Sequence, residues 1–170
     1  VNGHVHGQDL SYQMVEEAIK RDNHSNTSYS VSNAMNLPFC DDQFDIVFHF
    51  GGINLFPSVS KSINEMNRVC KEDGQIIFGD EGIGDWLVDT EYGKAMITNN
   101  SLWQAKLPIN YLPETAKDVS IRWVLGNCFY LIKFLKSSSP FNKVNLHVKH
   151  KGLRGGSINT RYFGNIDGID

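Results

Sequence analysis

The stretch Asn33–Gly52, NAMNLPFCDDQFDIVFHFGG, decides the fold. Within it Phe44–Phe50, FDIVFHF, is apolar at nearly every position after Asp45. A run that short and that continuous predicts a central strand covered on both faces, since a half-exposed strand would alternate polar with apolar residues. Upstream, residues 2–8 read as a strand closing at Gly7-Gln8-Asp9, and Ser11 caps a helix with Met14, Val15, Ala18 and Ile19 on one face. Lys20-Arg21 suit the negative end of that helix, the polar stretch Asp22–Thr27 is a loop, and Ser28–Ser32 is a second strand. Downstream, Pro57-Ser58 opens a helix with Val59, Ile63, Met66 and Cys70 inward, Lys71–Gly74 turns the chain, and Gln75–Gly79 is another buried strand. Strands alternating with helices in this way predict a mostly parallel sheet with crossovers. Gly84–Asn100 reads as a helix bearing Trp86, Leu87, Tyr92 and Met96. Ser120–Leu125 and Cys128–Leu135 flank Gly126-Asn127, a two-residue turn whose residues tolerate positive φ, and so form an antiparallel hairpin.

The 170 residues suit one domain with a real core. No apolar run reaches the roughly 18 residues of a membrane span, and no secretory signal is visible. Cys40, Cys70 and Cys128 are odd in number and widely spaced, which argues for structural thiols in a reducing, cytoplasmic setting rather than for disulfides or zinc. Residues 1–118 hold 17 acids and 8 bases, a net −9, whereas residues 119–170 hold 8 bases and 2 acids, a net +6. The expected division is a folded region, 1–136, and a basic, glycine-containing tail, 137–170. The tail is either a solvated counterweight or a phosphate-facing segment in which Lys149, Lys151, Arg154 and Arg161 act, or a lid.

Ligands of open α/β sheets bind beyond the carboxyl ends of the strands. Asp9 follows the first strand and can accept from ribose hydroxyls or simply favour the positive end of the helix after it. Asn33-Ala34 follows the second strand and can meet a base edge, although the segment standing alone reads more plainly as a proline-containing loop. His49 and Gly51-Gly52 end the central strand, and Asp80-Glu81 end the next. Adjacent residues point in different directions, so a shared proton between the two carboxylates is not expected.

Three blocks in order resemble the class I S-adenosylmethionine-dependent methyltransferases. VHGQDLSYQMVEEA is similar to the family's second-strand motif with its ribose-binding acid. NAMNLPFCDDQFDIVF resembles its Asp-Ala, Leu-Pro-Phe and Phe-Asp block leading into the fourth strand. INEMNRVCKEDGQIIFGDEG resembles its Glu-x-x-Arg-Val helix, turn and fifth strand. The resemblance implies a Rossmann-like, doubly wound α/β sheet, mostly parallel, with the C-terminal hairpin at one edge. It also implies S-adenosyl-L-methionine as cofactor, with Asp9 on the ribose, Leu10 and Met14 beside the adenosine, and Asn33 and Ala34 at the adenine amino group. Phe50, Gly51 and Gly52 would line the transfer crevice. Asn33 stands where Asp is common, and Asp73 departs from the usual Pro-Gly or Gly, a change expected to affect geometry little. The family's first strand and Gly-x-Gly-x-Gly turn have no counterpart. Together with an opening on Val1, this leads us to expect an N-terminally truncated domain with two exposed sheet edges.

The expected activity is methyl transfer to a small organic acceptor, because no nucleic-acid module is recognisable. A base is needed only if the acceptor arrives protonated, and His49, Glu81 and Tyr92 are the candidates, in that order. Trp86, Tyr92, Trp103, Tyr111 and Trp123 either wall the acceptor or pack the core. The rival readings are a non-catalytic binding or interaction protein of the same fold and a nicotinamide-dependent oxidoreductase.

Overall fold

The computed structural model describes residues 3–139. The basic segment from residue 140 onward, with Lys149, Lys151, Arg154 and Arg161, lies outside them. The strands are β1 (Val5–Asp9), β2 (Thr27–Val31), β3 (Phe44–Phe50), β4 (Cys70–Glu81), β5 (Lys117–Val124) and β6 (Phe129–Leu135), and the α-helices are α1 (Tyr12–Arg21), α2 (Val59–Val69) and α3 (Glu91–Asn99). β1 and β2 form a parallel pair, and a four-stranded sheet runs in the order β3-β4-β6-β5, with β3 parallel to β4 and the β5–β6 hairpin antiparallel. This is the α/β architecture with a terminal hairpin that the sequence predicts, with mixed rather than mostly parallel pairing among the described residues: two strand pairs are parallel and two antiparallel. Among the described residues, no helix is long and apolar enough to cross a membrane.

The core lies between α2 and one face of the larger sheet. Ile76 and Phe78 on β4 and Ile132 and Phe134 on β6 alternate inward and are fully buried, and α2 presses Ile63, Met66 and Val69 onto them. Ser58 starts α2 where expected, its hydroxyl accepting from Lys61 N at 3.2 Å. Ser11 does the same for α1, but only Val15 of that helix is buried; Met14 and Ile19 stay exposed. A sheet two strands wide covers only a narrow strip of the helix lying on it.

β3 departs from the expectation of cover on both faces. Ile46 and Phe48 are 61% and 64% exposed. The reason is local: among the described residues β3 pairs with β4 alone and β1 with β2 alone, so one edge of each is open. A cavity of about 110 Å³ lies between these strands, lined by His6 and Gln8 from β1 and by Ile46, Phe48 and His49 from β3.

Three other departures have plain causes. Lys71–Gly74 does not end a segment but bulges inside β4, whose register jumps from Phe44–Cys70 to Ile46–Gln75. Asp73 adopts φ +56° there, and Gly74 is packed so closely that a Cβ would lie 2.7 Å from both Cys70 Sγ and Lys71 O. Asp73 therefore occupies a left-handed position in which glycine would be less strained. The segment Gly84–Asn100 is not one helix: a 3₁₀ turn at Asp85–Leu87 precedes α3, which starts only where Thr90 accepts from Gly93 N at 3.0 Å. The hairpin loop is Leu125–Cys128, with Leu125, Gly126 and Asn127 all at positive φ.

The connection from β2 to β3 is held by Arg68 of α2. Its Nε donates to Glu65 Oε1 at 2.7 Å, Nη1 to Phe39 O and Asp41 Oδ1 at 2.8 Å each, and Nη2 to Leu37 O at 3.0 Å and Glu65 Oε2 at 2.8 Å. Glu65 Oε2 also accepts from Leu37 N at 2.7 Å. Phe39 then wedges between His6 of β1 and Phe44 of β3, ring centroids 4.7 and 5.0 Å away.

A lysine cannot reproduce a planar fork that serves carboxylates and carbonyls together, so Arg68→Lys should lose about 1.5–3 kcal/mol in urea denaturation. Gly79→Ala should cost about 1–3 kcal/mol by the same measurement, because its Cβ would be driven into the Tyr130 carbonyl oxygen and against the Phe50 ring.

Candidate active site

Parallel pairing brings strand ends together. The register Asp9–Val31 joins the ends of β1 and β2, and Phe50–Gly79 joins those of β3 and β4. Asp9 Oδ1 accepts from Ser11 N at 2.8 Å, which shapes the turn into α1. The side chain is exposed, and Oδ2 has no protein donor among the described residues. Beside it Leu10 and Met14 are 72% and 59% exposed, apolar surface flanking a carboxylate. Asp9 O accepts from Ser32 N at 2.9 Å, setting Asn33 and Ala34 next to Asp9. Asn33 turns the chain: its Oδ1 accepts from Met35 N and its carbonyl from Asn36 N, both at 2.9 Å.

At the end of β3, Gly51 N donates to Gly79 O at 2.9 Å, extending the ladder by one rung. Gly51 and Gly52 then take φ +81° and +87°, and a Cβ on either would meet nothing within 4 Å. The backbone conformation, rather than crowding, calls for glycine at both. This turn aims Gly52 N and Asn54 N at the Asp80 carboxylate, 3.0 and 2.6 Å away, and Glu81 N adds a third bond at 2.9 Å. Asp80 is fully buried. Burial opposes its ionisation, yet the donors from Glu81, Asn54 and Gly52 outweigh it and hold the carboxyl below its ordinary value. Asn54 is fixed in turn, donating to Glu81 O at 2.8 Å and accepting from the Tyr130 hydroxyl at 3.1 Å.

Glu81 is coupled to Asp80 despite their adjacency. The neighbouring Asp80 carboxyl, and then burial, raise the Glu81 pKa. Asp80, Asn54 and Tyr130 are the residues that sequence reasoning missed in this role; the one available signal was an acid closing the buried run QIIFGD.

The other candidate bases are placed differently. His49 alternates with Phe50 and so points to the opposite face of β3. Its ring packs against Phe56, 5.2 Å between centroids, and its buried Nε2 has no hydrogen-bond partner among the described residues. Burial lowers its pKa, against the pull of Asp80. The Tyr92 hydroxyl lies 3.0 Å from Cys128 Sγ and is thereby tied to the hairpin, an interaction that raises its pKa. Phe50, in contrast, stacks on Phe129 at 5.6 Å, and Phe129 stands opposite Glu81 in the ladder. Of the five aromatics weighed for an acceptor wall, Trp103 and Trp123 line a second cavity beyond β4, Trp86 meets the Trp123 ring edge-on, and Tyr92 and Tyr111 stand outside that lining.

Replacing Asp80 by Asn would set an amide donor among three backbone donors. Asp80→Asn should destabilise the fold by about 2–4 kcal/mol at neutral pH. A depressed carboxyl pKa contributes stability above the ordinary carboxylate range and loses it as pH falls through the folded value, so the variant's urea midpoint should also fall less steeply on acidification.

Residues 1–78 match the family model described as a methyltransferase domain. The demethylmenaquinone methyltransferase of Alkalihalophilus pseudofirmus is 35% identical over 79 residues, 45% of this chain and 34% of that protein. Its Staphylococcus haemolyticus counterpart is 39% identical over 77 residues, 45% of this chain and 32% of that protein. The chain thus spans about a third of the length of these curated relatives. Among solved structures, phosphoethanolamine N-methyltransferase 2 of Haemonchus contortus, in complex with S-adenosyl-L-methionine, superposes with a TM-score of 0.62 at 15% identity, covering 79% of this chain and 43% of that one. A SAM-dependent methyltransferase of Thermotoga maritima gives 0.59 at 15% identity, covering 81% and 84%. At these identities the structural likeness speaks to fold, and the fold agrees with the sequence match. The match of residues 1–78 to a methyltransferase domain and the fold shared with these structures agree, and both make this chain similar to the S-adenosylmethionine-dependent methyltransferases.

Proposed function

We propose that the protein transfers a methyl group from S-adenosyl-L-methionine to a small organic acceptor at the strand ends of this sheet. The observation that carries this reading is the exposed Asp9 carboxylate, with Oδ2 free of protein donors and apolar Leu10 and Met14 beside it. These residues fit a ribose carrying a flat base. A carboxylate oxygen accepts from vicinal hydroxyls, and the exposed apolar side chains cover a ring face. Asn33 and Ala34 stand where the base edge falls, the second Asn33 Oδ1 lone pair accepting from an exocyclic amine. Phe50, Gly51 and Gly52 bound the crevice, and the open space at both glycines admits a ligand close to backbone.

The cofactor supplies an electrophilic methyl group on a sulfonium. The chain's residues orient the acceptor, exclude water and, where needed, take its proton. Glu81 is the best placed of the three candidate bases. It stands opposite Phe129 and beside the glycine turn, and its raised pKa brings it toward the working range of a general base. His49 faces the other side of β3, and Tyr92 is tied to Cys128. The acceptor named for the two curated relatives, demethylmenaquinone, is one member of the small-organic class proposed here. The three cysteines are free thiols, which supports the reducing, cytoplasmic location.

Calorimetric titration of S-adenosylhomocysteine into this chain and into a form extended by a Gly-x-Gly-x-Gly segment should show binding by the extended form. Asp9→Ala in that form should weaken it by about 1–3 kcal/mol. Absence of binding by both, with both folded, would overturn the reading in favour of a non-catalytic protein of the same fold.

A further inference from the structure

We infer that His4 and His6 form an open two-imidazole clamp for a divalent transition ion of the imidazole-preferring class, Cu²⁺, Ni²⁺ or Zn²⁺, on one face of the β1–β2 pair. The inference stands apart from the methyl-transfer reading and uses none of its residues. The observation that carries it is convergence: His4 Nε2 and His6 Nδ1 lie 2.8 and 2.7 Å from a single atom, Ser28 Oγ. Alternate positions of an extended chain share a face, so a His-x-His pair sends both rings to one side. Ser28 stands directly across from His6 in the ladder and meets them there.

A hydroxyl serves two imidazoles poorly. It has one proton, so it donates to one ring and can only accept from the other. A dication takes a lone pair from both rings at once, at about 2.0–2.1 Å from each nitrogen. Among the described residues no third His, Cys, Asp or Glu completes a cluster around the two rings. The remaining positions therefore fall to water, and the clamp is far weaker than a closed four-ligand structural site.

His6 is set for this role before an ion arrives. Its Nε2 lies 2.9 Å from Ser30 Oγ, and its ring meets Phe39 edge-on at 4.7 Å and 78°. A partner on the far nitrogen is what orients a metal-bound imidazole, and in the tautomer that donates from Nε2 to Ser30 the lone pair of Nδ1 faces the clamp. His4 is exposed and, among the described residues, its ring makes only the Ser28 bond, so it can swing to close on an ion. The net −9 of residues 1–118 favours a cation over the whole region.

The test is calorimetric titration of the untagged, chelator-stripped full chain with CuSO₄, ZnCl₂ and MgCl₂, with electron paramagnetic resonance of the Cu²⁺ form. The expected result is one Cu²⁺ per chain, held more tightly than Zn²⁺, no Mg²⁺ binding, and superhyperfine splitting from two imidazole nitrogens. His4→Ala changes an exposed residue outside β1, so folding is not at stake. It should weaken Cu²⁺ binding at least tenfold and leave splitting from one nitrogen, as should His6→Ala. Ser28→Ala removes the shared hydroxyl but keeps both rings, and the double variant His147→Ala, His150→Ala removes the other close histidine pair of the sequence. Both should keep the Cu²⁺ affinity within threefold. No Cu²⁺ binding at submillimolar concentration, a one-nitrogen spectrum from the unaltered chain, undiminished affinity in His4→Ala, or tenfold loss in the His147, His150 variant would overturn the inference.

Discussion

The guanidinium of Arg68 is the constraint on which the rest of the molecule depends. The link from β2 to β3 contains no regular element, and its backbone polar groups need partners. One side chain from α2 answers that need: it accepts no bond, donates to two carbonyls of the link, and is itself held by Glu65. Because α2 is packed on the larger sheet, the clamp fixes where the two-stranded pair begins and where Asn33 and Ala34 stand. The Glu-x-x-Arg spacing places both side chains on one helix face, which is why a single turn of α2 does the work.

Asp80 plays the corresponding part in the other half of the site. An isolated buried carboxylate would be prohibitive, but two backbone donors from the turn after β3 and a third from Glu81 make it tolerable. The first two belong to a loop that glycine alone bends comfortably, so charge, turn and glycines form one unit. The unit is rigid, and it presents Gly51-Gly52 on one side and Glu81 on the other. A buried charge that organises a loop in this way trades stability for definition of the site.

Much of this was legible in residues alone. FDIVFHF, the Ser11 and Ser58 caps and the apolar face of α2 carry strong periodic or chemical signals, and all are found where they were read. What failed were inferences that need a neighbour. The exposure of Ile46 and Phe48 depends on what pairs with β3, and that of Met14 on how wide a sheet lies beneath α1. The break at Thr90 depends on a hydroxyl competing with helix continuation. The satisfaction of the buried Asp80 carboxylate is invisible in a pattern, because it comes from a loop 26 residues upstream folding its amides over the acid. The position of Asp9, at the end of β1 and just before the Ser11 cap, was legible in the sequence.

The clustering of the indoles has a consequence for how this protein reports on itself. Its three tryptophans, Trp86, Trp103 and Trp123, all sit at the β4–β6 end. The β1–α1–β2 portion carries only tyrosines, Tyr12 and Tyr29. Intrinsic emission excited at the red edge therefore watches one half of the molecule. If the two-stranded portion opened first on heating, that signal would trace a single smooth transition while the β1–α1–β2 half had already come apart. Only a probe sensitive to Tyr29, or to the backbone amides of β1, would see the two events separately.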